Sequence, residues 1–400
     1  MMARITSVTA HPIPDSRGHE TLEVTLAAEG IIASARVPSG KSAGIHEAKE
    51  LRDASGSVAP AINAVNGEIA RSLIGSSCDL VSVDRILLDL DGTPDKSRLG
   101  GNALIGVSMA AARLAAMTED KPLWRHLAEL SGSTPGFPRL FMNIVNGGVH
   151  ADFRLPFQEY MLVPESSDPQ ESFATGERVF ARLEAIIKES YGEVPMGDEG
   201  GYSPLCTQLE DPFRLIMSAA EGERYGIAID AAASEFFHEG GYAVLDSTLT
   251  PHELAQEYVR LSREFPLISI EDPFAEDEPE DFARLLRALP AGTLVVGDDL
   301  TVTNPERVRM MSACAAVNAV ILKPNQVGTV TETIEAARIA REAGWKLIVS
   351  HRSGDTMGTF VSDLAVGLGA FGIKAGSPFP QERRVKYERL IEIAQNELVL

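Results

Sequence analysis

The sequence predicts an α/β protein: a closed barrel of parallel strands preceded by a smaller α+β domain. Three observations predict it. Six apolar runs in the second half of the chain, AIDAAASE, LISIEDP, VVGDDLTVTN, AVILKPNQ, LIVSHRSGDT and GIKAG, each end in a polar or charged group. Helical stretches separate them, and regular βα alternation implies right-handed crossovers into a parallel sheet. Ahead of these runs lie shorter strands and one almost wholly apolar helix, closed off by SGSTPGFP, a Gly/Pro/Ser segment typical of a boundary. The first unit is placed at residues 1–132 and the second at 138–400.

The elements follow in order. Arg4 to Pro12 and Thr21 to Ala28 read as an antiparallel pair around a Ser16-Arg17-Gly18 turn, with Ile31 to Val37 as a third strand before the loop PSGKSAGIHE. The stretch GGNALIGVSMAAARLAAM is apolar nearly all round, so its Met and Ala positions read as buried core. Phe141 to Val145 and Glu159 to Val163 form a hairpin through Gly147-Gly148, which breaks a simple (βα)8 pattern. Helices are expected over Pro169 to Glu189 and Asp211 to Glu223, flanking the loop PMGDEGGYSP. From Ile227 the βα alternation is regular to the end.

Composition narrows the function. A formal net charge of -21 excludes the clustered Lys and Arg that nucleic acid requires and disfavours anionic membrane surfaces. Cys78, Cys206 and Cys314 are widely spaced with no zinc pattern, so reduced thiols are expected. The first residues, MMARITSVTAHPIPDSRG, lack the apolar core of a signal peptide, and no run reaches membrane-spanning length. A cytoplasmic protein is expected.

In a closed barrel of parallel strands the carboxyl ends converge on one mouth, where active sites sit. That places Asp230, Glu271, Asp298, Lys323, His351, Arg352, Ser353 and Lys374 together. Three carboxylates at successive strand ends suit a Mg2+ ion, a hard cation that takes oxygen ligands. The competing reading, that short polar residues cap the helices that follow, accounts well for Asp272 and Asn304 but poorly for Glu271 and Asp298. Beside a metal and in a dry mouth, Lys323 is expected to have its pKa lowered toward the range of a general base, unless it snorkels to solvent. Arg352 suits bidentate phosphate or carboxylate binding, against a surface Arg beside a capping Ser. Lys374 inside an apolar strand implies an anionic partner. Gln158-Glu159 and the GDEGG turn are ambiguous alone, but Glu159 with Glu199 would make a carboxyl pair whose environment leaves one protonated as an acid. His46-Glu47 lacks the second His of a zinc protease signature, and His11, His126, His238 and His252 have no matching partners.

Together the motifs SRG, VPSGKSAGIHEAKELRD, LDGTPDKSRLGGNALIGVSMA, NGGVHADF, QEYMLVP, GDEGGYSP, SEFF, SIEDPF, GDDLTVTN, LKPNQVGT, SHRSGDT, IKAGSP and KYERL resemble the enolase family over nearly the whole chain. The resemblance implies a ββαα(βα)6 TIM-type barrel beneath an α+β lid domain, usually as a homodimer or a multiple of dimers. It implies reversible dehydration of 2-phospho-D-glycerate to phosphoenolpyruvate. A first Mg2+ would sit on Asp230, Glu271 and Asp298, and a second, substrate-dependent one would involve Ser42 of the lid loop. Lys323 would take the C2 proton, and Glu199, supported by Glu159, would protonate the departing C3 hydroxyl. Arg352 and Ser353 would hold the phosphate and Lys374 the carboxylate, with His150, Gln158 and His351 at further active-site positions.

Some positions depart from the family pattern. Lys41 replaces a small residue in the lid loop, Ala43 a threonine, His19-Glu20 an Asn-Pro, Met357-Gly358 an acidic pair, and Pro380-Gln381 an Arg-Ser segment. None removes a catalytic group. The losses near 357 and 380 bear on subunit contacts. Lys41 is either a solvent-facing loop lysine or a partner for an extra negative charge on the substrate. The alternatives to phosphoglycerate dehydration are therefore a paralog of secondary metabolism, acting on a related phospho- or phosphono-substituted acid, and a non-catalytic binding protein.

Overall fold

The computed structural model describes residues 3–41, 44–151 and 155–397, with the side chain of His150 outside that description. Three antiparallel strands come first, β1 (Ile5–Pro14), β2 (Glu20–Ala28) and β3 (Ile31–Arg36), ordered β1-β2-β3. Strand side chains alternate between faces, so Leu22, Val24, Leu26 and Ala28 of β2 turn inward together. The helix Gly101–Thr118 lies on that face. It approaches closely because residue 106 is glycine: a Cβ there would lie 2.7 Å from Val24 Cγ2 and 2.9 Å from Val37 Cγ2. The helix is buried almost all round, as its composition predicts. Its other face meets the second domain, where Ser108 Oγ accepts the Val330 N–H at 2.9 Å.

The second domain is a closed barrel. Its strands are β4 (Arg139–Asn146), β5 (Glu159–Pro164), β6 (Tyr225–Asp230), β10 (Leu267–Glu271), β11 (Leu294–Gly297), β12 (Ala319–Leu322), β13 (Lys346–Ser350) and β14 (Gly372–Lys374). They close in the order β10-β11-β12-β13-β14-β4-β5-β6. Only β5 runs antiparallel to its neighbours; the other pairings are parallel. Two helices, Pro169–Tyr191 and Asp211–Ala219, follow the β4–β5 hairpin, and six βα units complete the ββαα(βα)6 pattern. The second of these helices stops four residues short of the expected Glu223.

The alternation expected from Ile227 is interrupted. Between β6 and the helix Pro251–Glu264 lies a separate sheet of β7 (Phe237–His238), β8 (Gly241–Val244) and β9 (Ser247–Leu249). Its turns need left-handed backbone, adopted at Glu239, Gly240 and Leu245. All three cysteines are unpaired, with Cys78 and Cys206 buried. Among the described residues no helix is long and apolar enough to cross a membrane.

Candidate active site

Strand direction decides which residues reach the barrel mouth. Asp230 ends β6, Glu271 ends β10 and Lys374 ends β14, while Asp298, Lys323 and His351 come directly after β11, β12 and β13. Because β5 runs the other way, its first residue, Glu159, arrives at the same mouth and pairs in register with Asp230. Asp230 in turn is opposite Glu271. In the closed strand order β14 lies four places from β10, and β12 four places from β5. Lys374 and Glu271 therefore face each other across the barrel, as do Lys323 and Glu159.

Lys374 spans that mouth. Its Nζ donates to Asp230 Oδ2 at 2.8 Å and to Glu271 Oε1 at 2.8 Å, and lies 3.3 Å from Glu159 Oε1. The anionic partner that its burial demands is thus supplied by the protein. Lys323 Nζ pairs with Asp298 Oδ2. Asp298 Oδ1 accepts from Gln326 Nε2 at 2.9 Å, and Gln326 Oε1 accepts from Thr303 Oγ1 at 2.8 Å. Glu199, on the GDEGG turn, accepts from Asn143 Nδ2 at 3.1 Å and lies 3.2 Å from His351 Nε2. Arg383 of the C-terminal helix, a donor only, points Nη1 at His351 Nδ1 from 2.6 Å, so the imidazole proton sits on Nε2, toward Glu199.

The first domain completes the wall. Arg352 is gripped by Glu47, and Ser353 Oγ accepts the Lys41 backbone N–H at 2.7 Å. Ser39 and Gly354 exchange backbone hydrogen bonds of 2.8 and 2.9 Å. Lys41 is the solvent-facing loop lysine that the sequence allowed, with its Nζ paired to Asp198 Oδ2 at 2.7 Å. Ser42 lies outside the described residues, and of the His150 side chain nothing is described.

Charge governs the chemistry available here. Burial, then the Glu199 carboxylate, push Glu159 well above the usual carboxylate range, and burial with Asp230 does the same to Glu271. Burial, the largest single influence, lowers Lys323, but the Asp298 and Glu271 carboxylates together outweigh it and raise its pKa. The fall expected beside a metal does not arise from these side chains alone: the low-dielectric mouth strengthens the carboxylate–ammonium attraction more than it penalises the charge. Burial lowers His351 to about 4, keeping it neutral.

The pocket is lined by Glu47, Glu159, Glu199, Asp230, Glu235, Asp272, Asp298 and Asp299 against Lys323, Arg352 and Lys374. Eight acids facing three bases fit a divalent cation, since hard oxygen donors in excess are its preferred environment. Gln158 Oε1 and Glu159 Oε2 are buried there without a hydrogen-bond partner among the described residues. Among the described residues, Asp272, Asp298 and Asp299 bring carboxylate oxygens within 4.8 Å of one another, and Asp298 is common to this group and to the set expected from the sequence. Asp272 is the poorer ligand of these. Its two oxygens accept the backbone N–H groups of Asp298 and Asp299 at 2.9 and 2.7 Å, so it shapes the turn rather than capping a helix. Asn304 does cap, accepting from Glu306 N–H at 2.9 Å.

Two family models match the chain, "Enolase, N-terminal domain" over residues 5–127 and "Enolase, C-terminal TIM barrel domain" over residues 136–398. The chain belongs to the enolase family. It is 43% identical to "Enolase B" of Dictyostelium discoideum, covering 98% of this chain and 94% of that one. It is 41% identical to "Enolase" of Methanopyrus kandleri, covering 99% and 96%. As an enolase-family member it is a lyase, a phosphopyruvate hydratase or a close paralog, and the family implies a divalent metal.

Sequence reasoning missed several residues that build this enolase-type site. Glu47 was dismissed with a failed zinc motif, and Gln326, Asn143 and Arg383 carried no local signal. Glu47 and Gln326 lay within the motifs VPSGKSAGIHEAKELRD and LKPNQVGT without a role assigned to them, and the partners of all four lie tens to hundreds of positions away in sequence.

Proposed function

We infer that the chain catalyses the reversible dehydration of 2-phospho-D-glycerate to phosphoenolpyruvate. The observation that carries this reading is the opposition of Lys323, directly after β12, to Glu159 on β5, beside Glu199, inside one buried pocket. Asp230, Glu271 and Asp298 would hold one Mg2+, and Ser42 would help hold a second when substrate is present. Bound there, Mg2+ would supply electrostatic stabilisation for the negative charge that builds on the substrate carboxylate.

The chain's own residues do the rest. Arg352 and Ser353 hold the phosphate, and Lys374 the carboxylate, with His150, Gln158 and His351 around them. Lys323 Nζ, in its neutral form, takes the C2 proton, so the hold of Asp298 on the Lys323 proton must be offset in the loaded site. The C2–H electron pair becomes the C2=C3 bond as the C3–O bond breaks. Glu199 gives its proton to the leaving hydroxyl, which departs as water. Glu159, kept protonated chiefly by burial, supports that acid. Addition of water reverses each transfer.

We also place the protein in the cytoplasm, as a homodimer or a multiple of dimers, with domains at residues 1–132 and 138–400. The family's habit supports the compartment and the dimer, and the family-model matches over residues 5–127 and 136–398 support the domain bounds.

Turnover of 2-phosphoglycerate with Mg2+, followed through phosphoenolpyruvate absorbance, tests the function. Lys323→Ala is expected to lower kcat by about 10²–10⁴-fold, the usual contribution of a positioned base. An unchanged kcat overturns the assignment of the base. Negligible turnover in the wild type with intact Mg2+ binding points to a paralog acting on a related phospho- or phosphono-acid. Loss of both points to a binding protein.

A further inference from the structure

The helix Gly101–Thr118 carries a single charged residue, Arg113. It lines a cavity between this helix, β3 and the loop that follows β13. Cations dominate the lining: Arg36, Arg113 and Lys386 face Asp355 alone. The chain as a whole has the opposite excess, with a net charge of -21. Lys323 and Glu199 do not line this cavity, so it is separate from the proposed reaction centre.

The Arg113 Nε is buried without a hydrogen-bond partner among the described residues. Two carboxylates lie near, and both are engaged elsewhere. Asp363 receives the fork of Arg389, with Nε at 3.1 Å and Nη2 at 2.7 Å. Asp355 Oδ1 accepts Lys386 Nζ at 2.7 Å and the Thr356 N–H at 2.6 Å, and its Oδ2 accepts the Arg352 N–H at 3.2 Å. Lys386 gives its remaining donors to Thr356 O and Glu382 O, so it offers charge to the cavity but no free proton. Burial lowers the Arg113 pKa, and the Asp363 charge opposes that only in part. A guanidinium stays charged even so, and wants an acceptor.

A second set of donors meets the same space. Phe360 and Val361 line the cavity and open the helix Phe360–Gly367, whose N-terminus has no side-chain cap. The free N–H groups and dipole of a first helical turn favour an anion. Thr356 Oγ1 accepts the Gly358 N–H at 3.2 Å, which leaves its own proton to donate. At 357 and 358, where the family pattern has an acidic pair, this chain has Met357 and Gly358, and Gly358 lines the cavity. We propose that the cavity binds one small inorganic anion of halide size, held by Arg113 and the first turn of the helix Phe360–Gly367. Its volume of about 30 Å3 suits that size, since one water needs about 10–15 Å3. The ion ties the first domain to the barrel loop that carries Arg352 and Ser353.

Chloride is the probe, exchanged for gluconate at constant ionic strength, with Mg2+ kept saturating as its gluconate salt. The wild-type thermal midpoint is expected to be about 2 °C higher in chloride. Arg113→Gln removes the cation and should lose most of that rise. Gly358→Asp supplies a competing carboxylate from the chain itself and should lose it too; a Cβ at 358 meets nothing nearer than Thr356 Oγ1, at 3.3 Å. Crystals grown in bromide should show an anomalous peak in contact with Arg113. Absence of that peak overturns the proposal. A peak without a chloride-dependent midpoint means an adventitious ion only and overturns it as well. A full rise retained in either variant places the acting ion elsewhere. A midpoint that rises with protein concentration and not with chloride gives Arg113 to a carboxylate of a second copy, which also ends the small-anion reading.

Discussion

Arg352 and Glu47, far apart in sequence, face each other as a bidentate ion pair: Nη1 lies 2.8 Å from Oε2 and Nη2 3.1 Å from Oε1. Both side chains are buried. The pair fastens the first domain to the barrel mouth through the guanidinium that the proposed function gives to phosphate. Removing one partner of a buried pair leaves the other charge uncompensated, at a cost of roughly 3–5 kcal/mol. Glu47→Gln is therefore expected to lower unfolding stability by about that much. Inorganic phosphate should then restore more stability to Glu47→Gln than it adds to the wild type, because the exposed need for an anion is greater. Denaturant melts with and without phosphate measure both. Equal phosphate effects would show that Arg352 is not an anion site.

Metal dependence gives a second expectation. Asp230 and Glu271 share the ammonium of Lys374, and the pocket carries more acid than base. Millimolar Mg2+ should raise the thermal midpoint even without substrate, since a ligand at about 100 times its Kd stabilises by about 2.7 kcal/mol. Chelation should abolish turnover and reverse the shift. In Glu271→Gln the shift should shrink sharply. A midpoint unmoved by Mg2+ in the wild type would remove the ion from these carboxylates.

How much of this was readable in the sequence depends on where each partner lies. Asp230, Glu271, Asp298, Lys323 and Lys374 end or follow apolar runs, and strand ends in a closed barrel share one mouth, so local pattern sufficed. Glu159 begins its strand, and nothing local says that β5 is reversed; only the hairpin did. Glu47 and Arg383 act through contacts hundreds or tens of positions away, which leave no periodicity. The β7–β9 sheet was missed because strands of two to four residues are too short to show alternation.

Gly354 supplies a geometric test of loop seating. A Cβ at this position would overlap Asp15 Oδ2 and Arg17 Nη2 and come within 2.7 Å of Ser39 O. The Ser39–Gly354 backbone pairing leaves no room for it. Gly354→Ala should push the first-domain loop off the barrel, lower kcat/KM by about tenfold, equivalent to about 1.4 kcal/mol, and quicken proteolysis between residues 36 and 48. Gly358→Ala is the control, since its nearest neighbour to a Cβ is 3.3 Å away. Equal behaviour of the two variants would show that seating of the loop does not limit catalysis.

Asp84 sets a pH dependence at the junction of the domains. It is fully buried on the helix Leu80–Asp91, and its Oδ2 accepts the Thr331 N–H of the barrel domain at 3.0 Å. Burial raises its pKa from 3.8 to about 6, against the hydrogen bonds of Ser108 and Thr331 and with help from the Glu332 charge. The sign follows from proton binding. Between the two values the folded protein holds a proton that the unfolded chain has released, so stability is greatest below pH 3.8 and is lost as pH rises through about 6. The loss amounts to at most about 3 kcal/mol, at 1.36 kcal/mol per unit. Asp84→Asn cannot ionise. Relative to the wild type it should therefore gain stability between pH 4 and pH 7 by an amount approaching that figure, whatever its absolute stability at either end. Paired denaturant melts across that range measure the gap. A gap that stays constant with pH would mean that Asp84 is ionised throughout, with its charge fully compensated by Ser108 and Thr331.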